Sequence, residues 1–100
     1  MRCIDVTINE FQRLIETIYL AKDSHRGIPA NIAWLTEEVG ELARALRKGE
    51  RAEAEGEFAD VLAWLCTLAS IAGVDLEAVA ATKYAHGCPK CRQAPCACEG

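Results

Sequence analysis

The chain has few residues that break regular structure and few aromatic ones. Among its 100 residues are three prolines, seven glycines and two residues each of Trp, Tyr and Phe. Apolar residues nevertheless make up 51% of the chain, a composition typical of a folded domain and not of a disordered segment. The alternation of apolar and polar residues that marks a β-strand is missing, as is any internal repeat. We therefore expect one all-α domain with a modest core.

Long apolar runs and an excess of basic residues are missing as well. Without about 18 consecutive apolar residues or a basic-then-apolar beginning, we expect no membrane span and no export signal, and we expect a cytoplasmic protein. The chain has 11 basic and 15 acidic residues, which gives a net charge of −4. A nucleic-acid-binding surface would be basic, so no nucleic acid is expected as a partner. Because the core is small, we expect a homodimer or homotetramer.

The helical spacing of apolar residues, together with capping residues, glycines and prolines at the ends, predicts four helices with short connections. The first covers residues 7–24, with Thr7 and Glu10 as a capping box and Gly27 behind its end. The others are predicted over residues 29–48, 51–72 and 75–85. Short connections favour antiparallel neighbours, so residues 1–86 are expected to form an antiparallel helical bundle of about four helices. Residues 87–100 lack helical periodicity and form a separate cysteine-rich tail.

Four carboxylates border the apolar faces of the second and third helices. They form two pairs spaced three residues apart, Glu38 with Glu41 and Glu57 with Asp60. No Lys or Arg falls at the helical angle of Glu38 or Glu57, and an ionised carboxylate that leaves water needs a positive partner. Oxygen ligands suit Mg²⁺ or Mn²⁺, so a divalent metal site is predicted. The alternative is a solvated helix face whose acids pair with neighbours such as Arg44.

The arrangement of these acids resembles that of a known family. The run Glu37-Glu38-Val39-Gly40-Glu41, followed after fifteen residues by Glu57-Phe58-Ala59-Asp60, is similar to the Glu-Glu-x-x-Glu and Glu-x-x-Asp motifs of MazG-like nucleotide pyrophosphohydrolases. The resemblance covers roughly residues 7–85. It implies an all-α enzyme that hydrolyses nucleoside triphosphates to monophosphate and pyrophosphate in nucleotide-pool house-cleaning. It also implies that Glu38, Glu41, Glu57 and Asp60 hold Mg²⁺, with Glu37 assisting through water or a second metal.

Two other functions stay open. The first is phosphoribosyl-ATP pyrophosphohydrolase, because enzymes of that kind share the helical fold and the acid pattern and differ in substrate. The second is a non-catalytic, zinc-tailed helical oligomer that binds a protein partner. A di-iron helical bundle is disfavoured because it needs Glu-x-x-His pairs, and neither His25 nor His86 follows a glutamate by three residues.

Three further residues are candidates for substrate binding. Lys83 stands where related enzymes carry a lysine and could contact phosphates. It could equally be an ordinary surface lysine without a role in binding. Trp64, one turn after Asp60, and Trp34 on the second helix could stack on a nucleobase, whereas tryptophans at helical spacing more often belong to the core. Gly87 occupies a position where some relatives carry an asparagine that contacts the base or sugar.

The tail carries four cysteines in the pattern Cys-x2-Cys-x4-Cys-x-Cys, namely Cys88, Cys91, Cys96 and Cys98. Cytosolic proteins seldom keep structural disulfides, and four thiolates satisfy a tetrahedral Zn²⁺, so a structural zinc site is predicted. Redox disulfides and a disordered reactive tail are the alternatives. Cys66, within an apolar helix, is expected to be a small core residue.

Overall fold

The computed structural model describes residues 5–100 and contains four helices. They are α1 (Ile8–Arg26), α2 (Ile28–Lys48), α3 (Arg51–Ile71) and α4 (Leu76–Tyr84). No strand occurs within the described residues, so the predicted all-α fold is confirmed. The observed bounds lie within two residues of the predicted ones, a difference that helix ends commonly show.

The helix ends follow from local side-chain chemistry. Thr7 Oγ1 accepts a hydrogen bond from the Glu10 backbone N–H at 3.0 Å, and Glu10 Oε1 accepts one from the Thr7 N–H at 2.9 Å, which completes the predicted capping box. A single residue, Gly27 with φ +85°, separates α1 from α2. Gly49 ends α2 in the left-handed conformation, φ +73°, which glycine adopts without steric cost. The short connection after α2 brings α3 back against it, whereas α1 packs mainly against α3.

α3 packs against both α1 and α2, and α4 packs against α1. The buried apolar residues are mostly small, namely Ile15, Ala45, Ala54, Cys66 and Ala69. Cys66 is fully buried on α3, as expected. Small side chains let the helices approach closely, but they bury little apolar surface per residue.

Buried hydrogen bonds supplement this small core. Gln12 of α1 is completely buried; its Nε2 donates to Ser70 Oγ at 3.0 Å and to the Val74 carbonyl at 2.8 Å. Its Oε1 accepts from the Leu76 N–H at 3.0 Å, so every polar atom of the side chain has a partner. Because a buried polar group left unpaired costs about 1–3 kcal/mol, this glutamine fixes α1 against the α3–α4 connection.

The apolar faces inferred from helical spacing are only partly covered. Val39 and Leu46 of α2 are 47% and 53% exposed, and Leu65 of α3 is 42% exposed. On α1, Ile8 and Ile18 are exposed, while the buried positions are Gln12, Ile15 and Asp23. The helical periodicity was correct, but one chain does not supply enough partner surface to cover these stripes.

No single helix among the described residues is long and apolar enough to cross a membrane. α3 and α4 reach the required length and composition only together, and they are bent by 98° relative to each other.

Candidate active site

The pairing of α2 with α3 brings three of the predicted carboxylates together. Glu38 and Glu41 of α2 and Glu57 of α3 each offer an oxygen atom, and these three atoms lie within 4.8 Å of one another. All three side chains are half-buried. The spacing of three residues on α2 places Glu38 and Glu41 on one face, and Glu57 meets them from the neighbouring helix.

Burial and mutual repulsion make full ionisation of this carboxylate cluster unfavourable. Burial, followed by the nearby Glu57 carboxyl and the charges of Glu41 and Asp60, raises the pKa of Glu38 to about 7. The pKa of Glu57 is also raised, first by burial. Without a cation, the protonated form of Glu38 is therefore favoured more than that of an ordinary glutamate.

The same cluster has acceptor atoms without partners. Glu38 Oε2 and Glu57 Oε2 are buried and have no hydrogen-bond partner. Unpaired buried carboxylate oxygens are costly, and a cation resolves both the missing partners and the repulsion. Oxygen donors on neighbouring helices fit a hard divalent ion such as Mg²⁺ or Mn²⁺, and softer metals would prefer nitrogen or sulfur.

Asp60 and Glu37 are not members of the carboxylate cluster. Asp60 is one turn beyond Glu57 on α3 and is exposed. Its negative charge contributes to the raised pKa values of Glu38 and Glu57, so it is electrostatically coupled to both. Glu37 is exposed on α2 and is not one of the clustered acids. Asp60 also lines the adjoining cavity.

A cavity of about 260 Å³ lies between α1, α2 and α3. Trp34 and Trp64 line it, and their rings are parallel within 6° with centroids 5.9 Å apart. Trp34 is exposed and Trp64 half-buried, so neither is a fully buried core residue. The cavity volume is close to the lower end for small-molecule sites, about 300 Å³. Asp60 connects this aromatic cavity to the carboxylate cluster.

Apart from Arg26, which stands just before the second helix in the sequence and is a candidate for phosphate contact, the remaining wall of the cavity comes from residues that the sequence did not single out. α1 contributes Tyr19, Lys22, Asp23 and Arg26, and α3 contributes Thr67. Asp23 is only 3% exposed; its Oδ1 lies 3.4 Å from Arg26 Nη1, and its Oδ2 accepts from Thr67 Oγ1 at 3.3 Å. The available signal was helical spacing, since Tyr19, Lys22 and Arg26 continue the line of the buried Ile15 along α1.

Lys83 is not part of this cavity. It is exposed in the last turn of α4, the helix that packs against α1.

The four tail cysteines form a second cluster. One sulfur from each of Cys88, Cys91, Cys96 and Cys98 lies within 4.8 Å of all the others, so the cluster could hold a metal. Backbone N–H groups, above all that of Ala97, lower the pKa of Cys91 to about 6, whereas the neighbouring sulfurs raise the pKa of Cys98 to about 11. The sulfurs of the tail are therefore close enough to influence one another's ionisation.

Comparison with known families agrees with this geometry. The model of the MazG nucleotide pyrophosphohydrolase domain matches residues 26–92. The chain belongs to the MazG family. The match begins at the end of α1 and includes α2, α3 and α4, and therefore the carboxylate cluster, Asp60 and both tryptophans. A search of the curated proteins gives no match.

By the description of that domain, nucleotide pyrophosphohydrolysis is the family-level activity. The match ends within the cysteine-rich tail, before Cys96 and Cys98.

Proposed function

We propose that this MazG-family protein is a metal-dependent nucleoside triphosphate pyrophosphohydrolase that releases a nucleoside monophosphate and pyrophosphate. The observation that carries the proposal is the carboxylate cluster, with its buried unpaired oxygens on Glu38 and Glu57, beside a cavity lined by two tryptophans. A metal-dependent site for phosphates next to an aromatic surface for a base matches the two halves of a nucleotide. We place this activity in the cytoplasm, with a role in clearing the nucleotide pool.

Glu38, Glu41, Glu57 and Asp60 would hold Mg²⁺ or Mn²⁺. The ion would neutralise crowded phosphate oxygens and lower the pKa of a bound water molecule. Glu37, which is exposed and directly precedes Glu38 in α2, would orient or deprotonate the attacking water at the α-phosphorus. Because the four ligands are acidic and the protein has a net charge of −4, a triphosphate could approach only with cations present.

The cavity would hold the base and sugar. Trp34 and Trp64 offer flat apolar surface, and stacking of a base on an aromatic ring is worth about 1–3 kcal/mol. Lys22 and Arg26 line the same cavity and supply positive charge for phosphate oxygens. Lys83 would reach substrate only if α4 of this chain or of a partner chain lies over the site.

A substrate panel tests this proposal. Ribonucleoside and deoxyribonucleoside triphosphates, modified triphosphates and phosphoribosyl-ATP are incubated with the protein and Mg²⁺, and monophosphate and pyrophosphate are measured separately. Preferential turnover of modified triphosphates would support house-cleaning, while preferential turnover of phosphoribosyl-ATP would move the activity to that second substrate. If no member is hydrolysed although Mg²⁺ binds, the acids serve a non-catalytic ion site.

Variants separate the acids from general effects of charge. Asp60→Asn and Glu57→Gln should each lower kcat by about 100-fold or more, since even outer-shell partners of a metal are worth about 10- to 100-fold. The matched control is Glu53→Gln, an exposed acid on the same helix outside the cluster. Retained activity in both cluster variants would refute the metal assignment, provided that the far-UV circular dichroism remains unchanged.

We further propose that the protein works as a homodimer or homotetramer. Exposed apolar side chains are numerous on α2 and α3, among them Val39, Leu46, Phe58, Leu62 and Leu65. Large apolar patches on the surface of soluble proteins often mark contacts between chains. Leu46 and Phe58 line an open groove between α2 and α3, and a second copy of the chain would cover it. A monomer at micromolar concentration in sedimentation would contradict this assembly.

The tail cysteines would hold a structural Zn²⁺ that takes no part in hydrolysis. Four protein thiolates leave a tetrahedral ion no open position for substrate or water.

A further inference from the structure

The distances between sulfurs in the tail fit a tetrahedral metal site. Cys88 Sγ lies 3.7 Å from Cys98 Sγ, and Cys91 Sγ lies 3.9 Å from Cys96 Sγ. A disulfide would bring two sulfurs to about 2.05 Å, so neither pair is bonded. Zinc–sulfur bonds of about 2.3 Å at tetrahedral angles place the sulfurs about 3.8 Å apart. The observed separations agree with that value.

The backbone of the tail is shaped around these four side chains. The Cys88 N–H donates to the Gln93 carbonyl at 3.0 Å, and the Arg92 N–H donates to the Cys88 carbonyl at 2.7 Å, which closes a tight loop. Gly87 has φ +89°, and a Cβ atom at this residue would lie 2.8 Å from the Gln93 carbonyl oxygen. The first two cysteines are therefore presented by a loop that requires glycine.

Backbone N–H groups also point at the sulfurs. The Ala97 N–H donates to Cys91 Sγ at 3.3 Å, and the Cys98 N–H donates to Cys96 Sγ at 3.3 Å. Such bonds stabilise thiolates and orient them, as outer-shell partners of metal ligands do. A disordered reactive tail would not hold four sulfurs and two such donors in one place.

Few polar contacts join the tail to the helices. Every hydrogen bond described for residues 88–98 has both partners inside the tail, and the Gly87 N–H to Tyr84 carbonyl bond at 3.2 Å is the sole one joining this segment to α4. No ion pair described for the chain involves the tail. The tail thus gains little polar support from the bundle, and a metal would supply the missing support.

We infer that residues 87–98 form a self-contained zinc knuckle, held by four thiolates, whose folding depends on the metal and whose loss leaves the helical bundle intact. Soft thiolate ligands select Zn²⁺ over the hard ions that suit the carboxylate cluster, so the chain has two metal sites of different chemistry. The knuckle goes beyond the hydrolase proposal, because it stands whether or not the protein turns over a nucleotide.

Metal analysis of the full-length protein, purified under reducing conditions, tests the site. We expect one zinc ion per chain by elemental analysis, and loss of that zinc in both Cys88→Ser and Cys96→Ser. The matched control is Cys66→Ala, which removes a cysteine outside the tail and should retain the zinc. Replacement by Co²⁺ should give the sulfur-to-cobalt charge-transfer band of a tetrathiolate site. Protein that takes up neither Zn²⁺ nor Co²⁺, or that contains iron instead, would overturn the assignment.

The independence of the tail is tested by removing the metal. Zinc is displaced with a mercurial reagent and a chelator, and the helices are followed by circular dichroism during heating. We expect the melting midpoint to shift by less than about 4 °C, while amide hydrogen exchange in residues 87–98 rises to the rate of an unfolded peptide. A fall of the midpoint well beyond that limit, or unchanged protection of the tail, would overturn the inference of an independent knuckle. Release of pyrophosphate from a nucleoside triphosphate is measured on the same samples. It tests the proposed hydrolase activity separately from the zinc site.

Discussion

Replacing Glu38 by glutamine should stabilise the metal-free protein at alkaline pH. In the folded chain, burial raises the pKa of Glu38 from 4.5 to about 7. Between these two values the unfolded chain has released the proton and the folded chain still holds it. The free energy of unfolding therefore falls as the pH rises through this window, and the full penalty is present above pH 7.

The size of the effect follows from the two pKa values. Their difference corresponds to about 3 kcal/mol at 1.36 kcal/mol per pKa unit. Because Glu38 is only half-buried, solvent screening reduces this, and we expect about 2 kcal/mol. Glutamine resembles the protonated carboxyl in shape and carries no charge, so Glu38→Gln should raise the melting midpoint at pH 8 by about 10 °C. At pH 5 the gain should be less than about 1 kcal/mol.

The assay is thermal and urea unfolding of chelator-treated protein at pH 5 and pH 8. Glu37→Gln is the matched control, because it removes an exposed carboxylate from the adjacent position of the same helix and should change stability little at either pH. Added Mg²⁺ should stabilise the wild-type protein at pH 8 more than the variant, since binding to the folded state shifts the unfolding equilibrium. A Glu38→Gln protein that is less stable than wild type at pH 8 without metal would refute the reasoning.

Three further outcomes test other parts of the molecule. Trp34→Ala should raise KM by about tenfold with little change in kcat, because base stacking is worth about 1–3 kcal/mol; an unchanged KM in steady-state kinetics would remove the ring from the substrate site. Phe58→Glu places a charge in the open groove and should shift the assembly toward monomers in light scattering, whereas an unaltered mass would show that this face is not the interface. Gly87→Ala should lower the zinc content, since its Cβ would clash with the Gln93 carbonyl oxygen; full zinc occupancy would show that the loop can relax.

Helix positions could be predicted from the sequence because their signals are local. Thr7 and Glu10 cap α1 through bonds spanning three residues, and Gly49 ends α2 through its own backbone conformation. Neither feature depends on distant parts of the chain. The convergence of Glu38, Glu41 and Glu57 was predictable as well, since regular spacing on two adjacent helices leaves few other arrangements.

The part that could not be predicted depends on contacts between distant residues. Gln12 is buried because Ser70, Val74 and Leu76 supply its partners across more than fifty positions. Asp23 likewise lines the cavity because α3 brings Thr67 to it. Helical periodicity assigned the buried face of α1 by hydrophobicity, and both residues are polar, so it missed them. The exposure of Val39 and Leu46 has a similar origin, because it depends on which other elements of the described residues reach them, and none covers them fully.

We propose that the clustered carboxylates hold a divalent ion that binds a triphosphate. Product analysis tests this most directly. Purified protein is incubated with a nucleoside triphosphate in ¹⁸O-labelled water, with and without Mg²⁺, and the products are separated by mass. We predict equal amounts of nucleoside monophosphate and pyrophosphate, formed only with the metal, with the label in the monophosphate. Release of nucleoside diphosphate and inorganic phosphate, or equal turnover after the metal is removed, would contradict the account.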